Sequence, residues 1–364
     1  MRPRPTASAY PPDTLAKAAS ASPLDLRFGR EDHPPGKTPK RLHLPSMAPA
    51  TARGFRQHGC GMESGSHCSR VAYMRREDLL LAATSVNPGL DRAAHLRIDL
   101  AALAAYPSKT LDVARGGVRT HGELLHFTDA SPDLDAVIFL GLDSADVAYF
   151  AQSGEGEFTS LREAVSQFSA FERLLAAHAV ALMNWHESHP HCPRCGSPTV
   201  MSSAGNARLC EKDQRELYPR TDSAVIVLVK DADDRILLGR QASWPEGRYS
   251  TFAGFVEPGE SFESAVEREV REEGGIVSEQ ISYLGSQPWP FPASIMVAFE
   301  AIAKDPSQAL ADGVEIERVE WFSRTQFKEA IDSGRLVLPP SISIARRMIE
   351  GWFGEMLTGG EAWR

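Results

Sequence analysis

Three glutamates between residues 269 and 273 have the spacing of a metal-binding face. Glu269, Glu272 and Glu273 are three and four residues apart, which places their carboxylates on one side of a helix. Like charges at this spacing repel each other by about 0.2–0.5 kcal/mol per pair. A divalent cation between them offsets that repulsion, and carboxylate oxygens suit Mg²⁺ or Mn²⁺. Taken alone, a run of charges of this kind is more often an ordinary solvated helix face.

The longer pattern around these glutamates favours the metal site. Residues 254–276 read GFVEPGESFESAVEREVREEGGI and match G-x5-E-x7-R-E-U-x-E-E-x-G-U, where U is aliphatic. The matching positions are Gly254, Glu260, Arg268, Glu269, Val270, Glu272, Glu273, Gly275 and Ile276. This pattern resembles the signature of the Nudix hydrolases. The resemblance implies an α/β/α sandwich and hydrolysis of a nucleoside diphosphate linked to another group.

The resemblance also implies roles for the acidic residues. Divalent ions neutralise the pyrophosphate and acidify a bound water, and a carboxylate takes the proton from that water. Glu269 and Glu273 are the implied Mg²⁺ or Mn²⁺ ligands, assisted by the carbonyl of Ala253. Glu272 is either a ligand or the base. Arg268 and Glu260 are expected to form an ion pair that fixes the loop to the helix.

A further metal-binding glutamate of the family precedes a pair formed by a tryptophan and a second aromatic residue. In this chain that pair is Trp321–Phe322, and Glu315 is the best match. Glu317 is the alternative, because nothing in the loop DGVEIERVEW fixes the register.

A proline-rich segment, SQPWPFPAS at residues 286–294, indicates which substrate such a site takes. Proline cannot continue a helix or donate to a sheet, so we expect a stiff segment outside regular structure. The segment resembles the array that marks the NADH pyrophosphatase group of the family, as do LYPRTD (217–222) and WHESHPHCPRCG (185–196). The resemblance implies that Trp289 and Phe291 stack on or enclose a base. A loop that only packs is the alternative.

By the same resemblance, the substrate contacts fall on Tyr218, Gln287, Pro288, Trp289, Pro290, Phe291, Pro292, Ala293, Ser294 and Ala345. The implied reaction cleaves NAD(H) to nicotinamide mononucleotide and AMP, with RNA carrying a 5′ NAD cap as a second substrate class. One rival is a broader hydrolase of ADP-ribose or diadenosine compounds. Another is a non-catalytic nucleotide sensor, which would not need the complete glutamate face. Members of the group are commonly homodimers, so a homodimer is expected.

A cysteine cluster precedes the glutamate segment. Cys192 and Cys195 form a CxxC pair, and Cys210 follows. A four-cysteine zinc ribbon would have its last thiolate at position 213, which is Asp213. Zinc accepts carboxylate oxygen, so three cysteines and an aspartate are one possible ligand set, and His189 or His191 could supply a nitrogen instead. A ribbon that has lost its metal is the alternative. Either way the spacing indicates a structural module.

The elements that position these residues are a mixture of strands and helices. Apolar runs at 135–143, 147–151, 223–231, 235–241 and 249–257 predict strands, and helices are expected near 324–333 and 342–354. A single long helix is predicted over 160–186, because an apolar stripe recurs at three- and four-residue steps. The stripe consists of Leu161, Val165, Phe168, Phe171, Leu174 and Leu175.

The resulting fold class is α/β or α+β, with four segments along the chain. They are a disordered tail (1–80), an N-terminal mixed α/β domain (81–187), a zinc-ribbon-like module (188–219) and the α/β/α catalytic domain (220–356). Ten of the 25 prolines lie in the first 50 residues, which argues against packed structure there. Cys60 and Cys68 lie in this tail without ligand-like spacing.

Composition limits the classes of partner. The 364 residues carry a formal net charge of -9, so no overall basic field attracts duplex nucleic acid. The sequence contains no apolar run of transmembrane length and no apolar core of a signal peptide. Five cysteines, three of them in a metal-like spacing, favour a reducing cytoplasm.

Overall fold

Two large mixed sheets, with a small three-stranded sheet between them along the chain, form the framework of the protein. The computed structural model describes residues 89–114, 116–129 and 132–358. All of these residues fall in one unit of the chain, Cys68–Arg364. The predicted tail at 1–80, including Cys60 and Cys68, lies outside the described residues. The predicted mixture of strands and helices is confirmed.

The N-terminal domain is a six-stranded sheet covered by one long helix. In chain order the strands are β1 (Ser108–Ala114), β2 (Gly117–Val118), β3 (Thr120–His121), β4 (Leu124–Leu125), β5 (Phe127–Thr128), β6 (Ile138–Leu142), β7 (Ala148–Ser153) and β8 (Thr159–Ser160). The sheet order is β6-β7-β1-β2-β8, with β5 beside β1, and β3 pairs with β4 separately. The helices are α1 (Leu100–Leu103), α2 (Leu161–Ala164) and α3 (Ala170–Ser188), with a 3₁₀ turn at Ala94–Ile98.

The prediction of one continuous helix over 160–186 is wrong. The helix is interrupted between α2 and α3, and α3 begins with a capping box. Ser169 accepts the N–H of Glu172, and the Glu172 carboxylate accepts the N–H of Ser169. This pair satisfies N–H groups that a new helix otherwise leaves open. The apolar stripe still faces inward, because Leu161, Phe168 and Leu175 are buried in the same core.

A small antiparallel sheet follows α3. Its strands are β9 (Val200–Ser202), β10 (Ala207–Cys210) and β11 (Arg215–Leu217), in the order β11-β10-β9. Cys210 ends the central strand and is fully buried. The sheet therefore brings the third cysteine towards the CxxC turn that precedes it.

The C-terminal domain is built around a sheet whose central strand is apolar on both faces. Its strands are β12 (Asp222–Lys230), β13 (Ile236–Arg240), β14 (Phe252–Phe255), β15 (Ser278–Trp289), β16 (Ser294–Ala303) and β17 (Arg318–Phe322). The order is β15-β16-β12-β13-β17, with β14 beside β12. Strands β12 and β16 run parallel and the other pairs are antiparallel.

Helices cover both faces of this sheet, as the α/β/α prediction requires. They are α4 (Phe262–Gly274), α5 (Arg324–Asp332) and α6 (Ile344–Phe353). Val225, Val227 and Val229 of β12 pack with α4, whereas Ile226 and Leu228 pack with α5 and α6. Alternate residues of one strand thus fill two cores, as strand geometry demands. None of the helices in the described ranges is both long and apolar enough to cross a membrane.

The proline-rich segment is more regular than predicted. Ser286–Trp289 end strand β15 and Ser294 begins β16, so the segment closes a hairpin in which Trp289 pairs with Ser294. The prediction of a segment wholly outside regular structure is therefore wrong. Proline is tolerated here because β15 is the edge strand, where a missing N–H breaks no ladder on its outer side.

Candidate active site

Helix α4 turns two of the three predicted glutamates inward and one outward. Ala265, Val266 and Val270 bury one face of the helix in the core. Glu269 and Glu273 are buried beside β14, at 8% and 4% exposure. The Glu272 side chain is 63% exposed. The three carboxylates therefore differ in environment although their spacing looks equivalent.

Gly254 is a glycine because the Glu269 carboxylate lies directly against it. A Cβ built on Gly254 would be 1.9 Å from Oε1 of Glu269 and 2.0 Å from its Cδ. A side chain at this position would therefore force the Glu269 carboxylate to move. The first residue of the motif thus sets where Glu269 lies.

The guanidinium of Arg268 joins the motif into one network. Nε and Nη2 donate to the two carboxylate oxygens of Glu260 at 2.7 and 2.8 Å. The predicted ion pair is therefore present, and the hydrogen bonds from Arg268 lower the pKa of Glu260 to about 2. Nη1 donates to Glu269 at 2.7 Å and to Glu272 at 3.3 Å. Arg268 thus also holds two of the carboxylates predicted to act on the substrate.

Burial makes the charged form of the inner glutamates unfavourable. Desolvation raises the pKa of Glu273 to about 8, and the nearby charge of Glu315 adds to the shift. Desolvation also raises the pKa of Glu269, against the opposing effect of Arg268. The N–H of Ala253 donates to Glu273 at 3.2 Å. The carboxylates of Glu269 and Glu273 lie close to other acidic groups and are shielded from water, so a divalent cation that offsets their charge is favoured there.

The two alternatives for the further metal-binding glutamate, Glu315 and Glu317, have different surroundings. Glu315 is close enough to raise the pKa of both Glu269 and Glu273. Its carboxylate accepts a hydrogen bond from the side-chain amide of Gln241, at 3.4 Å. Glu317 instead forms an ion pair with Arg240 at 2.9 Å.

A mainly apolar cavity lies beside Glu273. Its volume is about 170 Å³, below the roughly 300–1,000 Å³ of pockets that hold whole drug-sized ligands. It therefore suits one ring system and not an entire dinucleotide. The predicted site residues that line it are Ala253, Glu273, Gln287, Trp289 and Ala345.

Several predicted substrate contacts do not line this cavity. Tyr218 is 66% exposed, and its hydroxyl donates to Glu216. The other predicted substrate contacts that do not line the cavity are Pro288, Pro290, Phe291, Pro292, Ala293 and Ser294.

Phe291 lies against the N-terminal domain. Its ring packs against the hydrophobic core that contains Leu161, Phe168 and Leu175. The centre of the ring lies 4.7 Å from the guanidinium carbon of Arg162. Asn184 of α3 donates to the carbonyls of Pro290 and Pro292 at 3.4 and 3.3 Å. The turn therefore rests on the N-terminal domain, while Trp289 faces the cavity. The two rings touch edge to face at 5.1 Å between centroids.

Sequence reasoning missed two residues beside this site. Trp244 lines the cavity from the loop between β13 and β14, and its ring contacts no other aromatic ring among the described residues. Arg162 is brought to Phe291 only by the packing of two domains. A tryptophan next to proline in a turn, as in SWPEG, was a signal for the first; the sequence holds none for the second.

The cysteine cluster is assembled as a four-ligand site with Asp213. One ligand atom each from Cys192, Cys195, Cys210 and Asp213 lies within 4.8 Å of the other three. Hydrogen bonds from Ser197 lower the pKa of the Cys195 thiol, which favours the thiolate that zinc binds. This donor set fits zinc.

The glutamate face is more open than the cysteine cluster. In the part of the chain that the structure describes, the cysteine cluster is the one place where three or more His, Cys, Asp or Glu ligand atoms are close enough to hold a metal ion as they stand. An ion at this face would therefore draw the carboxylates of Glu269, Glu273 and Glu315 together. Carboxylate oxygens are the donors that Mg²⁺ and Mn²⁺ prefer, and burial raises the pKa of two of them, Glu269 and Glu273.

Comparisons with known proteins identify two segments. The NUDIX domain model matches residues 220–339, and the model of the NADH pyrophosphatase zinc ribbon domain matches residues 187–218. The chain is 39% identical over 294 residues to a Mycobacterium bovis protein named NAD-capped RNA hydrolase NudC, covering 72% of this chain and 92% of that protein.

Two further proteins show similarity over shorter parts of the chain. A Homo sapiens protein named NAD(P)H pyrophosphatase NUDT13, mitochondrial, is 37% identical over 211 residues, covering 54% of this chain and 60% of that protein. Among solved structures, a NUDIX hydrolase from Nitrosomonas europaea covers 41% of this chain and 96% of its own, at 20% identity and a TM-score of 0.32.

Proposed function

The chain belongs to the Nudix hydrolase family, and from this premise we propose that it hydrolyses the pyrophosphate of NAD(H) to nicotinamide mononucleotide and AMP. One observation carries the proposal. The glutamate face of α4 adjoins a cavity sized for one ring and bordered by Trp289. A pyrophosphate beside Glu273 with a ring in this cavity is the arrangement that a dinucleotide requires.

The inner carboxylates are the proposed metal ligands. Glu269, Glu273 and Glu315 would hold Mg²⁺ or Mn²⁺ with the Ala253 carbonyl, in preference to Glu317, which Arg240 neutralises. When bound, the ion neutralises the pyrophosphate and acidifies a water molecule. Arg268 orients Glu269, and Gly254 leaves room for its carboxylate.

Glu272 is the proposed general base. Its carboxylate is the most exposed of the three, so it can reach a water molecule on the open side of the site. Among the described residues, its carboxylate is held by one side-chain contact, to Arg268 at 3.3 Å. A base has to exchange its proton with solvent after each turnover, and an exposed carboxylate does so readily.

Removal of NAD caps from RNA is the second proposed activity. The relatives named NAD-capped RNA hydrolase support it. The cavity takes a single ring, so whatever extends beyond the adenosine ribose would lie outside it. A chain with a net charge of -9 would hold RNA mainly at its cap.

A substrate panel with a matched pair of variants tests these activities. Purified protein with Mg²⁺ or Mn²⁺ is given NADH, NAD, ADP-ribose, a diadenosine compound and NAD-capped RNA, and the products are resolved by chromatography. Glu273→Gln should lower kcat at least about a hundredfold on every substrate turned over, because a charge-neutralising group is lost. Glu267→Gln, an exposed glutamate of the same helix, is the control and should be unchanged. Wild-type turnover by Glu273→Gln would refute the site, and turnover of ADP-ribose above NADH would favour the broader hydrolase.

We further propose a structural zinc at Cys192, Cys195, Cys210 and Asp213, a homodimer and a cytoplasmic location. The assembled ligand atoms support the zinc. Tyr218 is exposed and does not line the cavity of its own chain, and a second copy that carries it to that cavity would make it a substrate contact. The three ribbon cysteines form no disulfide, which suits a reducing compartment, and fractionation of cells tests the location.

A further inference from the structure

The side-chain amide of Gln287 is bonded at both ends to the loop that forms one wall of the cavity. Its Nε2 donates to the carbonyl oxygen of Ile342 at 2.7 Å, and its Oε1 accepts the N–H of Ile344 at 2.8 Å. The residue is 9% exposed. Each polar atom of the amide is therefore hydrogen-bonded to the loop, in a place that water hardly reaches.

The two backbone groups depend on this amide. Ile344 is the first residue of α6, so its N–H has no acceptor inside the helix. The hydroxyl of Ser343, the N-cap, is used by the N–H of Arg346. A buried N–H or carbonyl that loses its partner is costly. Gln287 thus supplies the hydrogen-bond partners for one carbonyl and one N–H of the loop backbone.

The loop held in this way shapes the cavity. The residues that it contributes to the lining are Pro339, Ser343, Ile344 and Ala345. The fully buried guanidinium of Arg346 holds the other end, donating to the carbonyl of Pro339 at 3.2 Å and to Glu350 at 2.7 Å. The wall is therefore fixed from two sides, by a side chain of α6 and by a side chain of the edge strand β15.

We propose that Gln287 is a positioning residue, which holds residues 339–345 in the shape that receives one ring of the nucleotide. It contributes to substrate affinity through that loop and not through a bond to the substrate. The identity of the ligand, a nucleotide, rests on the proposed function. The two hydrogen bonds from Gln287 to Ile342 and Ile344, called the clamp below, do not depend on it. This changes the role expected of Gln287 from its place in the proline-rich array, which was that of a substrate contact.

Hydrogen exchange of the ligand-free protein tests the clamp directly. Gln287→Met keeps the bulk of the side chain and removes both hydrogen bonds. Protection of the peptide covering residues 339–347 should fall at least about tenfold, a change of roughly 1.4 kcal/mol, because both hydrogen bonds to the loop are lost. The KM for NADH should rise about five- to tenfold, with kcat within about twofold. Gln287→Asn, which keeps a polar amide but shortens the reach, is the second variant should Gln287→Met fail to fold.

Two control variants separate positioning from contact. Gln280→Met alters an exposed glutamine of the same strand and should change neither measurement. Trp289→Ala removes a cavity-lining ring and should raise KM without changing exchange in the ligand-free loop.

Two outcomes overturn the proposal. One is a raised KM in the Gln287 variants with wild-type exchange of the loop, since Gln287 would then act by contact. The other is a loosened loop with an unchanged KM. A wild-type protein that does not hydrolyse NADH refutes the proposed function instead, and the exchange experiment still decides whether the clamp exists.

Discussion

At the scale of single residues, the site depends on a glycine as much as on its acids. The carboxylate of Glu269 occupies the volume where any other residue at position 254 would place its Cβ. The glutamate is also fastened by Arg268. A change at Gly254 therefore has to act through the position of Glu269.

Gly254→Ala should abolish most activity while leaving the fold in place. The added methyl displaces the Glu269 carboxylate, and a misplacement of about 1 Å can cost on the order of a hundredfold in rate. Steady-state kinetics with NADH measures the loss, and the melting temperature checks the fold. Gly259→Ala is the matched control for the added methyl, because a Cβ there meets nothing within 4 Å. Since Gly259 has φ +95°, some loss of stability is expected in this control, but little loss of kcat. Near-wild-type kcat in Gly254→Ala would contradict the assignment.

The buried carboxyl of Glu273 should make the metal-free protein less stable as pH rises. Its pKa is about 8 in the folded protein and near 4.5 when exposed in the unfolded chain, so the folded state binds the extra proton between these values. Stability is then present below about pH 4.5 and is lost as pH rises through 8.

Melting temperatures in EDTA, measured between about pH 5 and pH 8.5, test this expectation. The wild type should lose more stability across this range than Glu273→Gln, which has no proton to lose. Mn²⁺ should stabilise the wild type most at the alkaline end, where the carboxylate is ionised. Equal slopes for both proteins would show that Glu273 does not titrate in this window.

Residues within one motif were predictable from the sequence. The Arg268–Glu260 ion pair was predicted because both residues belong to the motif that carries the family resemblance, and the shared helix position of the glutamates was predicted from their spacing. The partners of Gln287 were not predictable, because Ile342 and Ile344 are 55 and 57 residues away. Burial also separated Glu272 from Glu273, which spacing alone treats alike.

At the scale of elements, the strands were predicted better than the helix boundaries. Long apolar runs identify buried strands such as β12 without ambiguity. The break between α2 and α3 was missed because the apolar stripe continues through it. The sequence did contain the signal, since Ser169 followed three residues later by Glu172 is a capping box.

The ribbon should contain about one zinc per chain by elemental analysis, held with an aspartate in place of a thiolate. Asp213→Cys should therefore slow the loss of zinc to a chelator, and Asp213→Ala should speed it. Glu211→Gln, an exposed neighbour in the same module, should leave the rate unchanged. Purified wild-type protein that is folded but free of zinc would favour the empty ribbon.

At the scale of the whole molecule, Tyr218 does not line the cavity of its own chain, and a dimer could bring it to the cavity of the partner. If a second copy supplies Tyr218, the site that receives it keeps its own Glu273. Tyr218→Ala and Glu273→Gln would then impair different parts of one composite site.

Co-expression of these two variants with different tags tests this arrangement. The purified heterodimer should contain one site with both wild-type residues and regain about half of the wild-type activity per dimer, whereas each variant alone stays impaired. Activity no higher than that of the two variants mixed as separate proteins would show that Tyr218 acts within its own chain, or not at all. Domain packing of this kind, including Arg162 against Phe291, was beyond prediction from one sequence.

The hairpin that carries Trp289 also protects the edge of a sheet. Strand β15 leaves one side of its backbone without a partner strand in the described sheet, and such edges recruit strands from other molecules. Pro288 removes an N–H from this edge, and Pro290 and Pro292 turn the chain away directly after it. The end of the strand nearest the cavity is therefore a poor template for aggregation and for association of copies by extension of the sheet.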